Sequence, residues 1–295
     1  MKTSTKREPR FKVTFAMTLA IIALSFASIF ITKLQGAQVP PLIIAFYRMA
    51  ITTVLLVPVA LAFKRKELLS IAGRDFRLLA IGGLCLAIHF AALIASLKYV
   101  PIATAVVLVN SHPLFVVIAS YFFLGEQPSR RSILGTTVGL AGMLVMSHDA
   151  LSGLQLALKG DGLALIGALA VVGYFIVGRK ARARISLLGY VTPVYAACSV
   201  FLLILVLVAR DPLLPYSANT WAYLAALAVV PTIFGHSLFN WSIKHVRPTT
   251  ISLTFLAEPV VASLLALAFF AQRPPLATFI GGPLVLAGVY LTTSK

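Results

Sequence analysis

The residues of this sequence that could do chemistry are a few acidic and imidazole side chains inside long apolar stretches. Glu258 is the only acidic residue well inside such a stretch, and His112 lies in an earlier one. Each directly precedes a proline, which leaves the backbone carbonyl four residues earlier without its helical donor. A carboxylate and an imidazole beside free carbonyls could bind a polar ligand, hold a substrate ammonium group or carry a proton. The alternative is that Glu258 is satisfied by a neighbouring Ser, His or backbone group at a helix bend.

Other polar residues lie near these two along the chain. Asn110 and Ser111 directly precede His112, which makes the centre of that stretch unusually polar. Thr254 lies on the helical face of Glu258, because residues four apart share a face. All three could contact a substrate, although hydrogen bonds between neighbouring helices explain Asn and Ser equally well.

His89, His236 and Arg48 are further polar residues inside apolar stretches. A histidine that faces a cavity could donate to a carboxylate, whereas a neutral histidine could simply join two helices. Arg48 lies seven residues into its stretch. It could extend toward the end of that stretch, pair with backbone carbonyls or attract a substrate carboxylate, and we expect a structural role.

Aromatic rings inside the apolar stretches could stack on a planar substrate, although rings also fill any membrane core. The candidates are Phe26, Phe30, Phe90, Tyr174, Phe175, Phe234 and Phe239. The predicted substrate site comprises Glu258, His112, Asn110, Ser111, His89, Thr254, Phe90, Tyr174, Phe239 and Phe26.

Sequence motifs for other kinds of chemistry are missing. The two cysteines, Cys85 and Cys198, both lie in apolar stretches, and no HExxH or Cys/His spacing predicts a metal site. One intramembrane acid cannot form an aspartyl protease dyad, and no nucleophile motif frames a Ser–His pair. No Gly-rich loop with Lys-Ser/Thr could bind ATP. We therefore expect neither an enzyme nor a cofactor.

The composition identifies lipid as the solvent of most of this chain. Of its 295 residues, 60% are hydrophobic and 11% are charged, and the mean hydropathy is +0.97. A soluble domain carries about 25% charged residues. The net charge of +17 comes from short basic clusters between apolar stretches, which is typical of residues that flank membrane spans. The expected partners are a lipid bilayer and a small-molecule substrate, and not nucleic acid.

The apolar stretches predict an all-α membrane protein with ten transmembrane helices. Most stretches are close to the ~20 residues that cross a hydrocarbon core about 30 Å thick. The first is too long for the apolar part of a signal peptide, so we expect it to be retained as a span. The predicted spans are 13–33, 41–63, 78–97, 101–123, 132–148, 161–179, 187–209, 219–243, 248–270 and 275–293.

Basic residues alternate between the connections of these spans. The N-terminus, the even connections and the C-terminus hold 19 lysines and arginines. The odd connections hold five, namely Lys33, Lys98, Lys159, Arg210 and Arg273. Because basic residues accumulate on the cytoplasmic side, we expect a multi-pass protein of the bacterial inner membrane with both termini in the cytoplasm.

The chain repeats itself at an offset of 146 residues. Residues 96–142 align without gaps on residues 242–288, and Pro113 matches Pro259. The same offset makes His112 and Glu258 equivalent. Matches of apolar residues are common in membrane chains, but matched prolines are harder to explain by chance.

The offset predicts two five-helix repeats, 1–148 and 149–295, around a central cavity. Because five spans are an odd number, the second repeat must enter the membrane inverted. Two inverted halves can exchange conformations and so expose a central site to either side of the membrane. The alternative is a gene duplication without mechanistic use.

Small residues follow one face of spans five and ten. Such faces allow helices to approach closely, and we expect these two spans to pack on each other. The chain would then be a monomer or a weak homodimer through the same spans. The residues are Gly135, Gly139, Gly142, Gly281, Gly282 and Gly288.

Four short stretches of the sequence stand out as motifs, namely AFYRM at 45–49, NSHP at 110–113, FFLGEQPS at 122–129 and AEP at 257–259. Together they resemble motifs of the drug/metabolite transporter superfamily, specifically of its EamA-type ten-helix exporters. The second repeat has Ala271-Gln272 where the first has Gly125-Glu126, which departs from the pattern. The resemblance implies a basket of helices whose cavity is formed mainly by spans 1, 3, 4, 6, 8 and 9, with spans five and ten packed apart from it.

The resemblance also implies a function. It indicates a secondary transporter that exports small amphipathic metabolites by alternating access, with aromatic or other neutral amino acids as the expected substrates. Broad efflux of drugs, nucleosides or toxic compounds is the alternative. A channel is less favoured, because the spans lack the rings of charge or the filter loops of a pore.

Overall fold

The computed structural model describes residues 10–96, 99–100, 102–147, 158–271 and 273–293, and the regular structure among them is entirely helical. Several features that the sequence analysis used lie outside these ranges. They are the basic residues before Arg10, Lys98, Pro101, the boundary between the predicted repeats at 148/149, Gln272 and Lys295.

The described chain forms thirteen α-helices and one π-helical segment. The helices are α1 (Arg10–Gly36), α2 (Pro41–Ser70), α3 (Gly73–Ser96), α4 (Ile102–Val109), α5 (His112–Leu124), α6 (Arg130–Met146), α7 (Leu158–Arg182), α8 (Leu187–Ala209), α9 (Ala218–Leu227), the π segment (Ala228–His236), α10 (Ser237–Ser242), α11 (Pro248–Phe255), α12 (Glu258–Phe270) and α13 (Leu276–Thr293). Nine stretches of the described residues are long and apolar enough to cross a membrane. The predicted fifth span, α6, is shorter, with 17 residues.

The helix boundaries confirm the internal repeat. α4 and α11 begin and end 146 residues apart, and so do α5 and α12. The first residues of α2 and α8, Pro41 and Leu187, are separated by the same number. The repeat is therefore a repeat of structure and not only of residue types.

The packing of α6 against α13 shows that the second repeat is inverted. A Cβ added to Gly135, early in α6, would lie 2.6 Å from the carbonyl oxygen of Gly288, late in α13. A Cβ added to Gly142, late in α6, would lie 2.6 Å from the carbonyl oxygen of Gly281, early in α13. The two equivalent helices therefore run antiparallel.

This close packing also bears on the predicted homodimer. The glycine faces of spans five and ten cover each other within one chain, as the sequence predicted, except at Gly282, where an added Cβ would meet Val260 on α12 at 3.6 Å. A dimer through these two spans would have to use their other faces, and it stays a prediction.

Replacing Gly142 with Ala is expected to destabilise the protein. The new methyl group would lie 2.6 Å from two backbone atoms of α13, the Gly281 oxygen and the Val285 nitrogen, which cannot rotate away. Overpacking of this kind costs about 1–3 kcal/mol. Thermal unfolding of the detergent-purified variant should show a lower midpoint.

The matched control is Gly162→Ala in α7, because no atom lies within 4 Å of the added carbon there. Alanine also favours a helix over glycine by about 1 kcal/mol. The control should therefore unfold at the wild-type temperature or slightly above it. Equal destabilisation at both positions would contradict the proposed close contact.

The two repeats interlock around the centre of the bundle. α1 packs against the π segment and α12, while its equivalent α7 packs against α3 and α5. The first span of each repeat therefore fits between the third and fourth spans of the other. This arrangement brings the two broken spans, four and nine, to the middle of the protein.

Spans four and nine are broken where the sequence places a proline after a polar residue. α4 ends at Val109 and α5 begins at His112. α11 ends at Phe255 and α12 begins at Glu258. The two carbonyls predicted to lose their donors, those of Val109 and Phe255, thus lie at the breaks, and both residues line the central cavity.

Candidate functional site

A cavity of about 300 Å³ occupies the centre of the bundle, which is at the small end of the ~300–1,000 Å³ range of ligand pockets. It extends from Gln35 and Pro41, beside the connection of α1 and α2, to His112 and Glu258 at the helix breaks. All six spans expected from the resemblance contribute to the lining, and span two contributes as well. None of the described residues of α6 or α13 does.

Glu258 is the acidic residue among the described residues that line the cavity. It is the first residue of α12, where the helix dipole favours a negative charge. Its backbone carbonyl accepts a hydrogen bond from Ser25 Oγ at 3.2 Å, but its carboxylate accepts none from the described residues. The sequence also allowed Glu258 to be satisfied by a neighbouring Ser, His or backbone group. The described residues form no such hydrogen bond to its carboxylate.

His112 and His89 both line the cavity and both join helices. His112 Nδ1 lies 3.0 Å from Ser252 Oγ, which links span four to span nine. His89 Nδ1 lies 2.9 Å from the carbonyl oxygen of Gly167 on α7. Because a carbonyl only accepts, the proton of neutral His89 is on Nδ1. Both histidines thus bond to a neighbouring helix and also line the cavity, so the two alternatives considered for a histidine occur together.

Asn110 and Phe90 complete the predicted residues that reach the cavity. Asn110 lies in the break of span four, and Phe90 lies on α3. Phe90 also stacks against His89, with 5.2 Å between the ring centroids. His236, which the sequence analysis considered but did not include in the predicted site, lines the cavity too.

Ser111 and Thr254 are not among the residues that line the cavity, and their contact with a substrate stays a prediction. Ser111 Oγ donates to the carbonyl of Leu108 at 2.6 Å, and Thr254 Oγ1 donates to the carbonyl of Thr250 at 2.8 Å. Short hydroxyl side chains commonly bond to the backbone of their own helix. Near a helix break this local bond holds the hydroxyl away from the space between the spans.

Three predicted aromatic residues also lie outside the lining. Phe26 packs on Phe269 in an edge-to-face contact, with 5.8 Å between the ring centroids. Phe239 stacks on Phe255 at 4.3 Å, so Phe255 rather than Phe239 faces the cavity. Tyr174 is buried, with 2% of its surface exposed. These three aromatic side chains thus pack against other residues of the bundle instead of lining the cavity.

Arg48 lines the cavity and is 6% exposed, so it does not extend toward the end of its span. Its Nε donates to Thr232 Oγ1 at 2.8 Å. Its guanidinium carbon lies 5.0 Å from the centroid of the Phe90 ring. The Nη2 nitrogen of Arg48 is buried and has no hydrogen-bond partner, which is unusual for a guanidinium. The depth of an arginine in an apolar stretch was the signal in the sequence for such a position.

The side of the cavity away from Gln35 is closed by buried aromatic and polar groups. On α7, Val171 lines the cavity, whereas Tyr174 and Phe175, which follow it, are 2% and 3% exposed. Asn240 Nδ2 donates to the hydroxyl groups of Tyr174 and Tyr195. This cluster separates the cavity from the connections at that end of the bundle.

Those connections are joined by arginines, and we call this region the closed end. Arg179 Nε donates to Glu126 Oε1 at 3.1 Å, and its Nη1 donates to the carbonyls of Ile243 and Lys244 at 2.7 and 3.1 Å. Arg247 Nη1 donates to the carbonyl of Gln127 at 2.9 Å. The closed end therefore ties the connection after α5 to the connection after α10, which belong to different repeats.

Comparisons with known proteins agree with this architecture. The profile of the EamA-like transporter family matches residues 11–148 and again residues 158–294. An uncharacterized transporter of Archaeoglobus fulgidus is 26% identical over 95% of this chain and 96% of its own length. The pseudopaline exporter CntI of Pseudomonas aeruginosa is 25% identical over 90% of both chains.

Two further comparisons concern a relative that matches about two thirds of the chain and a solved structure with the same fold. A protein of Streptantibioticus cattleyicolor named "Probable terminal-alkyne amino-acid exporter" is 25% identical over 67% of this chain and 66% of its own length. A chain of known crystal structure matches 96% of this chain and 96% of its own length with a TM-score of 0.80 and 24% identity, which shows the fold.

Proposed function

The chain belongs to the EamA-like transporter family, and on that premise we propose that it exports aromatic or other neutral amino acids by alternating access. The observation that carries the proposal is the cavity between two inverted repeats, which is lined by both a carboxylate, Glu258, and a guanidinium, Arg48, that form no ion pair with each other. The chain is thus a multi-pass membrane transporter whose site offers one group of each charge.

The lining of the cavity supports a substrate with a small charged part and an apolar part. Leu24, Ile44, Leu93, Ile94 and Val171 form much of its wall, and such a wall favours an apolar or aromatic side chain. The small volume suits a single metabolite rather than a bulky drug. The name of the Streptantibioticus relative, an amino-acid exporter, points in the same direction.

The distribution of basic residues supports an orientation. The closed end carries Arg179 and Arg247, which belong to the basic connections, and the cavity reaches the surface beside the connection of α1 and α2. We propose that the basic end faces the cytoplasm of a bacterium, following the positive-inside rule. The cavity then opens to the outside of the inner membrane, and both termini lie in the cytoplasm.

Export should be measurable with the purified protein in proteoliposomes. Efflux or counterflow of radiolabelled phenylalanine is expected to be saturable and to be inhibited by unlabelled neutral amino acids. Empty liposomes and liposomes with the Glu258→Gln variant are the controls. Saturable flux of nucleosides or toxic compounds without any amino-acid flux would replace the amino-acid proposal by broad efflux, and single-channel currents would contradict alternating access.

A further inference from the structure

We infer that Arg48 binds the carboxylate of the substrate while Glu258 holds its ammonium group, so that the cavity selects zwitterionic α-amino acids. The inference rests on the proposed export of amino acids and adds a residue that determines specificity. It assigns a ligand to the guanidinium of Arg48, whose Nε is bonded to Thr232 but whose two Nη nitrogens have no hydrogen-bond partner among the described residues.

The first step concerns the charge of Arg48. A guanidinium stays protonated in proteins, and an unpaired buried charge is costly within a membrane protein. Arg48 forms no ion pair with any described residue. Its bond to Thr232 is a bond to a neutral hydroxyl group. Glu258 acts on Arg48 electrostatically but forms no ion pair with it, so an anionic group that enters the cavity would meet a guanidinium without a directly bonded counter-ion.

The second step concerns the orientation of Arg48. Thr232 Oγ1 accepts from Arg48 Nε and itself donates to the carbonyl of Leu227 at 3.1 Å, so the acceptor is fixed. Phe90 supports the guanidinium through a cation–π contact. Because Thr232 fixes one edge of the guanidinium and Phe90 covers one face, the remaining N–H groups point in a fixed direction. Such a planar fork matches the two oxygens of a carboxylate.

The π segment explains why Thr232 can do this. A π-helix closes hydrogen bonds to the fifth residue back, and Thr232 donates to Leu227, five residues earlier. The equivalent residues of the first repeat lie in α3, which is a regular α-helix. The support for Arg48 is therefore present in only one of the two repeats, as expected of a binding feature rather than of the shared scaffold.

The third step concerns the pair of charges. Arg48 and Glu258 line the same cavity but do not form an ion pair with each other. A bound cation would be attracted by Glu258 and repelled by Arg48. A bound anion would be attracted by Arg48 and repelled by Glu258. A zwitterion satisfies both groups at once. Its side chain is then left to the apolar wall, which explains how one site could accept several neutral amino acids.

The inference is tested first with three probes of one shape on the wild-type protein. Phenylalanine carries both charges, phenylethylamine lacks the carboxylate and 3-phenylpropionate lacks the ammonium group. Isothermal titration or tryptophan fluorescence of the purified protein gives a Kd for each probe. Phenylalanine should bind at least tenfold more tightly than either analogue, a difference of about 1.4 kcal/mol.

The second test uses substitutions of Arg48. Arg48→Gln should raise the Kd for phenylalanine at least tenfold and should not raise the Kd for phenylethylamine, because that probe has no carboxylate to lose and is freed from the repulsion of Arg48. Arg48→Lys should recover part of the affinity, since it keeps the charge but not the fork. Arg184→Gln is the matched control, because Arg184 pairs with Asp75 outside the cavity and both side chains are partly exposed.

The outcomes separate the inference from the proposed function. Equal losses of all three probes in Arg48→Gln would mean a merely structural role and would overturn the inference, while amino-acid export would stand. Equal wild-type affinity for phenylalanine and phenylethylamine would overturn it even if the variant failed to fold. Tight, Arg48-dependent binding of 3-phenylpropionate without binding of phenylalanine would remove the amino-acid substrate and the ammonium role of Glu258. If none of the probes binds, both the substrate and the role of Arg48 are overturned.

Discussion

Glu258→Gln is expected to reduce export in proteoliposomes to less than a tenth of the wild-type rate and to remove its dependence on pH. The amide keeps the size of the side chain but can carry neither a negative charge nor a transported proton. Glu258 lies at the helix break, and its carboxylate has no partner among the described residues. A substrate ammonium group and a proton would compete for this one group, and that competition is a physical basis for exchange of the two.

The measurement is the initial rate of phenylalanine efflux at external pH values from about 5 to 8, the interval in which groups that titrate near neutrality change charge. Asp75→Asn is the matched control, because it makes the same change of acid to amide outside the cavity. An unaltered pH profile in Glu258→Gln would show that the carboxylate does not carry the proton. Wild-type rates in the variant would remove Glu258 from the site altogether.

A covalent link across the closed end is expected to stop export. Arg247 Nη1 and the Gln127 carbonyl are 2.9 Å apart, and they belong to connections of different repeats. Cysteines at these two positions, in a background with Cys85 and Cys198 replaced by Ala, can be joined by a bifunctional thiol reagent with a reducible linker. If the end must open to admit substrate, linked protein should retain less than a tenth of its transport.

Reduction of the linker should restore transport, and each single-cysteine variant treated with the same reagent serves as a control. Binding of phenylalanine from the open side should persist in the linked protein, because the cavity does not include Gln127 or Arg247. Full transport by fully linked protein would mean that this end does not open during the cycle. That result would contradict alternating access while leaving the binding site intact.

The sequence was sufficient for the parts of the fold that depend on hydrophobic length and on proline. The ten spans and the breaks before Pro113 and Pro259 follow from local chemistry, since lipid sets the span length and proline removes a backbone donor. The offset, together with five spans in each repeat, predicted that the second repeat is inverted, and the glycine faces predicted the packing of α6 on α13. These features need no knowledge of which neighbours a span will have.

The lining of the cavity could be predicted only in part, because it depends on which way each span turns. A span buried among others is apolar all round, so its periodicity does not mark a cavity face. Phe239 and Phe255 illustrate this, since the two rings stack on each other and only Phe255 reaches the cavity. The polar residues at the breaks were easier, since Asn110, His112 and Glu258 lie where backbone groups also need partners.

The position of Arg48 depended on a feature without a clear sequence signal. Thr232 reaches Arg48 from the π segment, which packs against α1 and α2. Pro231 is the only local irregularity in that segment, and a proline alone predicts a kink rather than a π-helix. A long-range contact of this kind could not be inferred from residue types.

Under the proposed alternating access, the ion pair of Arg179 and Glu126 stabilises the state in which the closed end is shut. By the 146-residue offset, Glu126 corresponds to Gln272 and Arg179 corresponds to Lys33, so the residue types of this ion pair are not repeated in the sequence. Two perfectly matched halves would make the two access states equal in free energy, whereas an ion pair whose residue types are not repeated removes that equality. We expect the unloaded carrier to rest in the outward-facing state and the breaking of this ion pair to be the slow step of each turnover.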